Sequence, residues 1–264
     1  MQIIIENCSS AGAHFSDKTN NVLLKIHKWI TENNEPSLRF IEFRRHLKND
    51  MGINDNNARN IYPLLKNCGF AEYAPGDVLD TSKFFTPKGT AYILSLESLQ
   101  LIEKEEYTQE QKRVVSLELK SVLHELVYEG VAKLVHNDEL NYSESMKWFI
   151  MFLLEYGKIN RNEFAYMVYQ MSNDDENWKF KTKSVIEGYR NREITIDVKV
   201  RVRNDQDIKK KTGETTRLEE ISYFTAYSYY AALFVQAGLI HKGENYYYYL
   251  KPDERIKMEK LLEV

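Results

Sequence analysis

One succession of helix and turn signals constrains this chain most, because it occurs twice in the same order. In the first stretch, roughly 15–102, Val22, Leu23, Ile26, Trp29 and Ile30 recur at helical spacing and predict an amphipathic helix over 18–33. Asn33-Asn34-Glu35-Pro36 stops it. Ser37 to Phe40 reads as a short extended piece, and a second helix follows with Phe43 and Leu47 inward, ending at Met51-Gly52. A third helix starts at Asn54 or Asp55, either of which can cap it, and runs to Asn67. Pro63 inside it marks either a kink or a later start. Phe70–Tyr73 and Ser82–Phe85 are then extended, with turn chemistry at Ala74-Pro75-Gly76-Asp77 between them. Thr86 caps a closing helix that has Pro87 at its first position.

The second stretch, 143–264, repeats the order. Ser143 opens a helix with Phe149, Phe152 and Leu153 inward, and Tyr156-Gly157 closes it. Lys158–Asn160 is extended, Arg161–Met171 is the second helix, and 172–216 is a charged insertion. The third helix is expected over 217–237, with Phe224, Tyr227, Ala231 and Phe234 on its apolar face. A hairpin begins at Gly238, turns at Lys242-Gly243-Glu244-Asn245 and returns through the tyrosines, after which Pro252 starts a closing helix. Between the stretches, 108–137 reads as one long helix, a spacer or docking element.

Helix, helix, helix, hairpin, helix is the order of a winged helix, although a generic α+β domain also accommodates it. The expected fold is mainly α with small β-hairpins (α+β). It comprises an N-terminal winged-helix domain at 1–105, a connecting helix at 106–142, and a C-terminal winged-helix domain at 143–264 carrying the insertion.

With 264 residues and 43% apolar content, the chain can bury one large core or two ordinary ones. Cys8 and Cys68 form no CxxC pair, so both read as reduced thiols of a cytoplasmic protein. Glu6 interrupts the apolar start where a secretory signal needs length, and the run Trp148–Leu154 is far too short to span a bilayer. No membrane partner is expected.

The formal net charge of −3 counts mildly against nucleic-acid binding, but its distribution is uneven. Between Trp178 and Arg217 there are twelve Lys and Arg against six Asp and Glu, an excess of six on a chain whose remainder carries −9. A segregated basic segment is the electrostatic footprint of phosphate contact. A solvated loop that binds nothing would look the same. The expected phosphate contacts are Lys181, Lys183, Arg190, Arg192, Arg201, Arg203 and the tip Lys209-Lys210-Lys211. In the third helix of the first stretch, Asn56, Asn57, Arg59 and Asn60 are of the types that pair with adenine and guanine edges, and equally of the types that cap helices and coat surfaces. Arg217, Ser222 and Tyr223 take the equivalent place in the second stretch, and Lys83 lies on the first hairpin. The eighteen tyrosines admit two readings, strand and core-edge packing or contact with phosphates and bases.

No Gly-rich phosphate loop, HExxH, GxSxG or zinc spacing is present. Asp197-Val-Lys199 has the form of half a Mg²⁺ nuclease site, for which Asp174, Asp175 and Glu187 are the nearby acids. Alternating charge on an exposed strand also produces that triplet by chance. We read no complete catalytic site, metal site or cofactor site in the chain.

The segments Trp148–Phe164, Tyr189–Glu193, Ser222–Tyr227, Leu233–Ile240 and Tyr249–Glu254 resemble the DNA-recognition region of type IIS restriction and nicking endonucleases, of the AlwI-like and FokI-like kind. Gly69-Phe70 and Phe85-Thr86-Pro87-Lys88-Gly89 extend the resemblance to that family's N-terminal winged helix. The resemblance implies sequence-specific binding of double-stranded DNA. It also implies a Mg²⁺-dependent cleavage domain beyond Val264, or as a separate subunit, since that domain follows the recognition part in the family. The same folds would serve a transcription regulator reading a palindrome, or a module that binds a protein partner.

Overall fold

The computed structural model describes residues 1–6, 14–33, 37–72, 78–104, 106–140, 142–171, 178–203, 216–220 and 225–263. For 4–6, 55–60, 171, 178–179, 198–203, 216–220 and 225–226 it describes the backbone alone. The chain opens with strand β1 (Gln2–Glu6). It continues through α1 (Asp17–Asn33), β2 (Leu38–Arg39), α2 (Phe40–Asn49), α3 (Asp55–Asn67), β3 (Val78–Leu79), α4 (Pro87–Lys104) and α5 (Gln109–Val135). There follow α6 (Ser143–Tyr156), β4 (Lys158–Ile159), α7 (Arg161–Met171), α8 (Trp178–Arg190), β5 (Thr195–Arg203) and β6 (Thr216–Glu220). The last elements are α9 (Thr225–Gln236), β7 (Ile240–Lys242), β8 (Tyr248–Leu250) and α10 (Arg255–Lys260). The protein is mainly helical with small sheets. None of the described helices is long and apolar enough to cross a membrane.

Two compact units form, and their membership departs from the sequence expectation. One comprises 12–140 with 232–239, and the other comprises 1–11, 141–231 and 240–263. The long helix α5 therefore belongs to the first unit instead of standing apart as a connector. Val127, Val131, Leu134 and Val135 are buried, and Gly130 lies so close to Cys68 that a Cβ there would sit 3.0 Å from the cysteine Cβ. A methyl group at that position would oblige the Cys68 side chain to give by a few tenths of an ångström. Burial pushes the Cys68 thiol up to about 12, so it stays protonated and unreactive. Cys8 lies outside the described residues.

The core of this first unit is aromatic. Phe15, Phe70 and Tyr92 pack with ring centroids 5.1–5.2 Å apart, and Phe43 packs on Trp29 and Phe84 at 5.9 and 5.4 Å. Strand β2 pairs antiparallel with β3, and Ala71 forms an isolated bridge with Phe85. The Thr-Pro-x-Gly step that leaves this region is explained by its contacts. The Thr86 hydroxyl accepts from the Gly89 N–H at 3.0 Å, capping α4, and donates to the Gly69 carbonyl at 2.8 Å. The Phe70 carbonyl accepts from the Thr86 N–H at 3.1 Å, and it would lie 1.9 Å from a Cβ on residue 89.

The second unit holds two three-stranded sheets. In one, β8 lies between β4 and β7, all antiparallel. In the other, β5 lies between β1, parallel to it from Gln2↔Thr195 to Glu6↔Lys199, and β6, antiparallel to it. The helix expected over 217–237 is corrected here. Residues 216–220 are strand β6, and the helix begins at Thr225. Thr216–Glu220 is polar apart from Leu218 and pairs antiparallel along an edge of β5. Within the segment expected as an insertion, the described residues include α8 and β5. The hydrophobic centre is the group Phe149, Phe164 and Tyr230, with centroids 5.7–6.3 Å apart. The Tyr230 hydroxyl is satisfied by the Ser145 hydroxyl at 2.7 Å.

Gly89→Ala should destabilise the first unit by about 1–3 kcal/mol through overpacking against a backbone carbonyl. Thr86→Ala, which loses one cap, should cost about 1 kcal/mol. Urea unfolding of both variants checks the order, and equal midpoints would contradict the close approach at residue 89.

Candidate nucleic-acid interface

A cleft in the second unit is built around the start of α7. Its sequence Asn160-Arg161-Asn162-Glu163 is a reciprocal cap. The Asn160 side-chain oxygen accepts from the Asn162 and Glu163 N–H groups at 3.0 and 2.9 Å, and the Glu163 carboxylate accepts from the Asn160 N–H at 3.1 Å. Glu163 is fully buried. Arg190 at the end of α8 meets it in bidentate fashion, Nε to Oε1 at 2.7 Å and Nη2 to Oε2 at 3.2 Å. Tyr247 adds a fourth donor at 3.1 Å. Four donors on two oxygens saturate the carboxylate, which is what a buried charge requires. Partial burial opposes charge on Arg190, yet its bonds to Glu163 hold the guanidinium pKa above the ordinary value. Burial, reinforced by Glu163, pushes the Tyr247 phenol above its usual range.

Over this base lies a cleft of about 550 Å³. One side is the α7 start, with Asn160, Arg161 and Asn162, together with Tyr189. The other is the β7–β8 hairpin, with Lys242, Asn245, Tyr246 and Tyr248. Tyr227 and Ser228 of α9 also line it. The Tyr227 hydroxyl faces the carbonyls of Ile159 and Tyr246 at 3.1 and 3.2 Å and so ties the hairpin tip to β4. Asn245 and Tyr246 at that tip take left-handed backbone angles, φ 54° and 61°. Side chains rarely adopt that region without tertiary support. Among the described residues no acidic side chain lines the cleft; Glu163 is neutralised beneath it and Glu244 is exposed on the hairpin. Among the described residues, Arg161 and Lys242 take part in no ion pair.

The residues expected from sequence to touch DNA fall into distinct groups. The Arg190 guanidinium is held by Glu163 and by the Lys158 carbonyl at 2.9 Å, and so braces α8 and β4. Lys181 and Lys183 are exposed on α8, and Arg192 is exposed in the turn that follows. Lys83 is exposed and pairs locally with Asp80 at 3.0 Å. Asn56, Asn57, Arg59 and Asn60 lie in α3, Arg201 and Arg203 in β5, and Arg217 in β6, where the backbone alone is described. Arg217 is therefore on a strand and not on a recognition helix. Lys209, Lys210, Lys211, Ser222 and Tyr223 lie outside the described residues. Asp197 and Lys199 lie on the central strand β5, and the Asp197 carboxylate accepts from the Gln2 side-chain amide. Among the described residues, no group of three or more His, Cys, Asp or Glu is placed to hold a metal ion.

Sequence reasoning did not single out Asn160, Arg161, Asn162, Lys242 or Asn245. The Asn-x-x-Glu capping box and the hairpin turn were legible, but each is an ordinary structural signal. Only their juxtaposition makes a cleft. Searches against family models, curated proteins and solved structures found no match to this chain.

Removing the buried carboxylate should be severe, because Arg190 is left without its partner. Glu163→Ala is expected to destabilise the second unit by about 3–5 kcal/mol. In the double variant Glu163→Leu with Arg190→Met, part of that loss should return. A double-mutant cycle by urea unfolding measures the coupling, and additive losses would remove the pair from its central position.

Proposed function

We propose that the chain binds double-stranded DNA sequence-specifically, through two winged-helix units. The helix–strand–helix order of each unit supports the winged-helix reading. So does the strand order β4-β8-β7, with its hairpin beside the start of α9. One observation carries the functional reading: a cleft lined, among the described residues, by amides, phenols, Arg161 and Lys242, and by no carboxylate. Arg and Lys meet phosphates, while Asn and Tyr supply the donors and acceptors that base edges require. The net charge of −3 does not oppose this, because charge is unevenly spread and the segment Trp178–Arg217 carries an excess of six positive charges.

The resemblance to type IIS enzymes extends the proposal to target recognition for a restriction endonuclease. The Mg²⁺-dependent cleavage it implies would belong to a further domain or subunit. Two units of different sequence in one chain favour an asymmetric target over a palindrome.

Selection from randomised duplexes should recover a short asymmetric motif. Binding should weaken steeply with salt, and Arg161→Ala or Lys242→Ala should each lower the slope of log affinity against log salt by about 1. No recovered motif together with salt-independent binding would refute the proposal. A palindromic motif bound by a stable dimer would favour a transcription regulator.

A further inference from the structure

We infer that the cleft between the start of α7 and the β7–β8 hairpin holds a single nucleotide unit, its base against the tyrosine rings and its phosphate on Arg161 and Lys242. This rests on the nucleic-acid reading of the same site and names its ligand.

Four observations converge on that ligand. At about 550 Å³ the cleft is in the range of pockets that enclose a small molecule, roughly 300–1,000 Å³. Its walls include the rings of Tyr189, Tyr227, Tyr246 and Tyr248, and an aromatic face accepts any base by stacking. Tyr246 is 80% exposed, an arrangement that leaves a large ring face uncovered beside the cleft.

Polar groups are set for a base edge. The Tyr189 hydroxyl accepts from the side-chain amides of Asn160 and Asn162 at 3.4 and 3.2 Å. With its lone pairs engaged, the hydroxyl has its own proton left to donate to a ligand. Asn245 is exposed at the hairpin tip and offers both an amide donor and an acceptor. The hairpin is held in place by Tyr227, so the opposing walls are fixed before a ligand arrives.

Charge then selects a phosphorylated ligand. Among the described residues Arg161 makes one weak hydrogen bond, to the Asn162 side chain at 3.3 Å, and Lys242 is exposed. Among the described residues neither takes part in an ion pair; Glu163, two residues from Arg161, is saturated beneath the floor, and Glu244, two residues from Lys242, is exposed on the hairpin.

A nucleotide can reach this cleft in two ways, extruded from a duplex or free in solution. An extruded nucleotide first has to leave its stack, and a mismatch lowers that barrier. The test uses the whole chain in two arms. In the first, each of the four deoxynucleoside 5′-monophosphates is titrated and followed by NMR. At least one should bind with Kd about 1 mM or tighter, and about tenfold more tightly than its nucleoside. Arg161→Ala should abolish the preference for the monophosphate, and Tyr246→Ala, at an exposed ring, should abolish binding while the thermal midpoint stays unchanged. In the second arm, single mismatches are walked through the selected duplex. A mismatch at one position that tightens binding about tenfold, with the gain lost in Tyr246→Ala, identifies an extruded base. Monophosphate binding with no such position supports a free nucleotide as the ligand. No monophosphate binding at about 10 mM, with every mismatch weakening the complex, overturns the inference even where salt-dependent duplex binding persists. Conversely, monophosphate binding without any duplex shift would sustain the cleft and overturn the duplex-binding proposal.

Discussion

The carboxylate of Glu163 is the interaction on which the second unit depends. It closes the cap of α7, anchors α8 through Arg190 and holds the β7–β8 hairpin through Tyr247. Arg190 passes the connection on to the β4 carbonyl at Lys158. A charge buried this completely is tolerable only when every lone pair is occupied, and here four donors occupy them. Four elements distant in sequence are thereby fixed around one point. That point lies under the cleft, so the rigidity of the charge network is also the rigidity of the site.

Above it the tyrosines divide the work by burial. Tyr227 and Tyr230 are core residues whose hydroxyls are satisfied internally, by backbone carbonyls and by Ser145. Tyr246 is exposed, and Tyr189 and Tyr248 are half-buried at the cleft. Core-edge packing thus accounts for Tyr227 and Tyr230, while Tyr189, Tyr246 and Tyr248 keep surface at the cleft. A phenol suits such a border because its ring packs while its hydroxyl remains available for a hydrogen bond.

The first unit achieves order by different means. Its short strands are held by an aromatic core and by the Thr86 cap, and Gly89 lets the Phe70 carbonyl approach the helix start. Helix α5 is retained by a buried apolar stripe at Val127, Val131, Leu134 and Val135. Toward its N-terminal end, Val114, Val115, Leu117 and Val122 are exposed. This is why hydrophobic spacing alone, which runs the whole length of the helix, reads equally well as a spacer.

By itself the sequence determined the local elements: the helices α1 to α7, the Thr86 start, the hairpin after Gly238 and the concentration of basic residues after Trp178. These follow from periodicity, capping and turn chemistry, which act over a few residues. Tertiary structure decided the rest. Strand β1 joins β5 some 190 residues away, because parallel pairing leaves no local signature in either strand. Residues 216–220 became a strand because β5 offered an edge to a segment that helical spacing also fitted. Arg190, one positive charge among many in sequence, was drawn inward because a buried Glu163 awaited it. The cleft itself required the α7 start and a hairpin more than 80 residues later to face each other, and burial of one carboxylate brought them together.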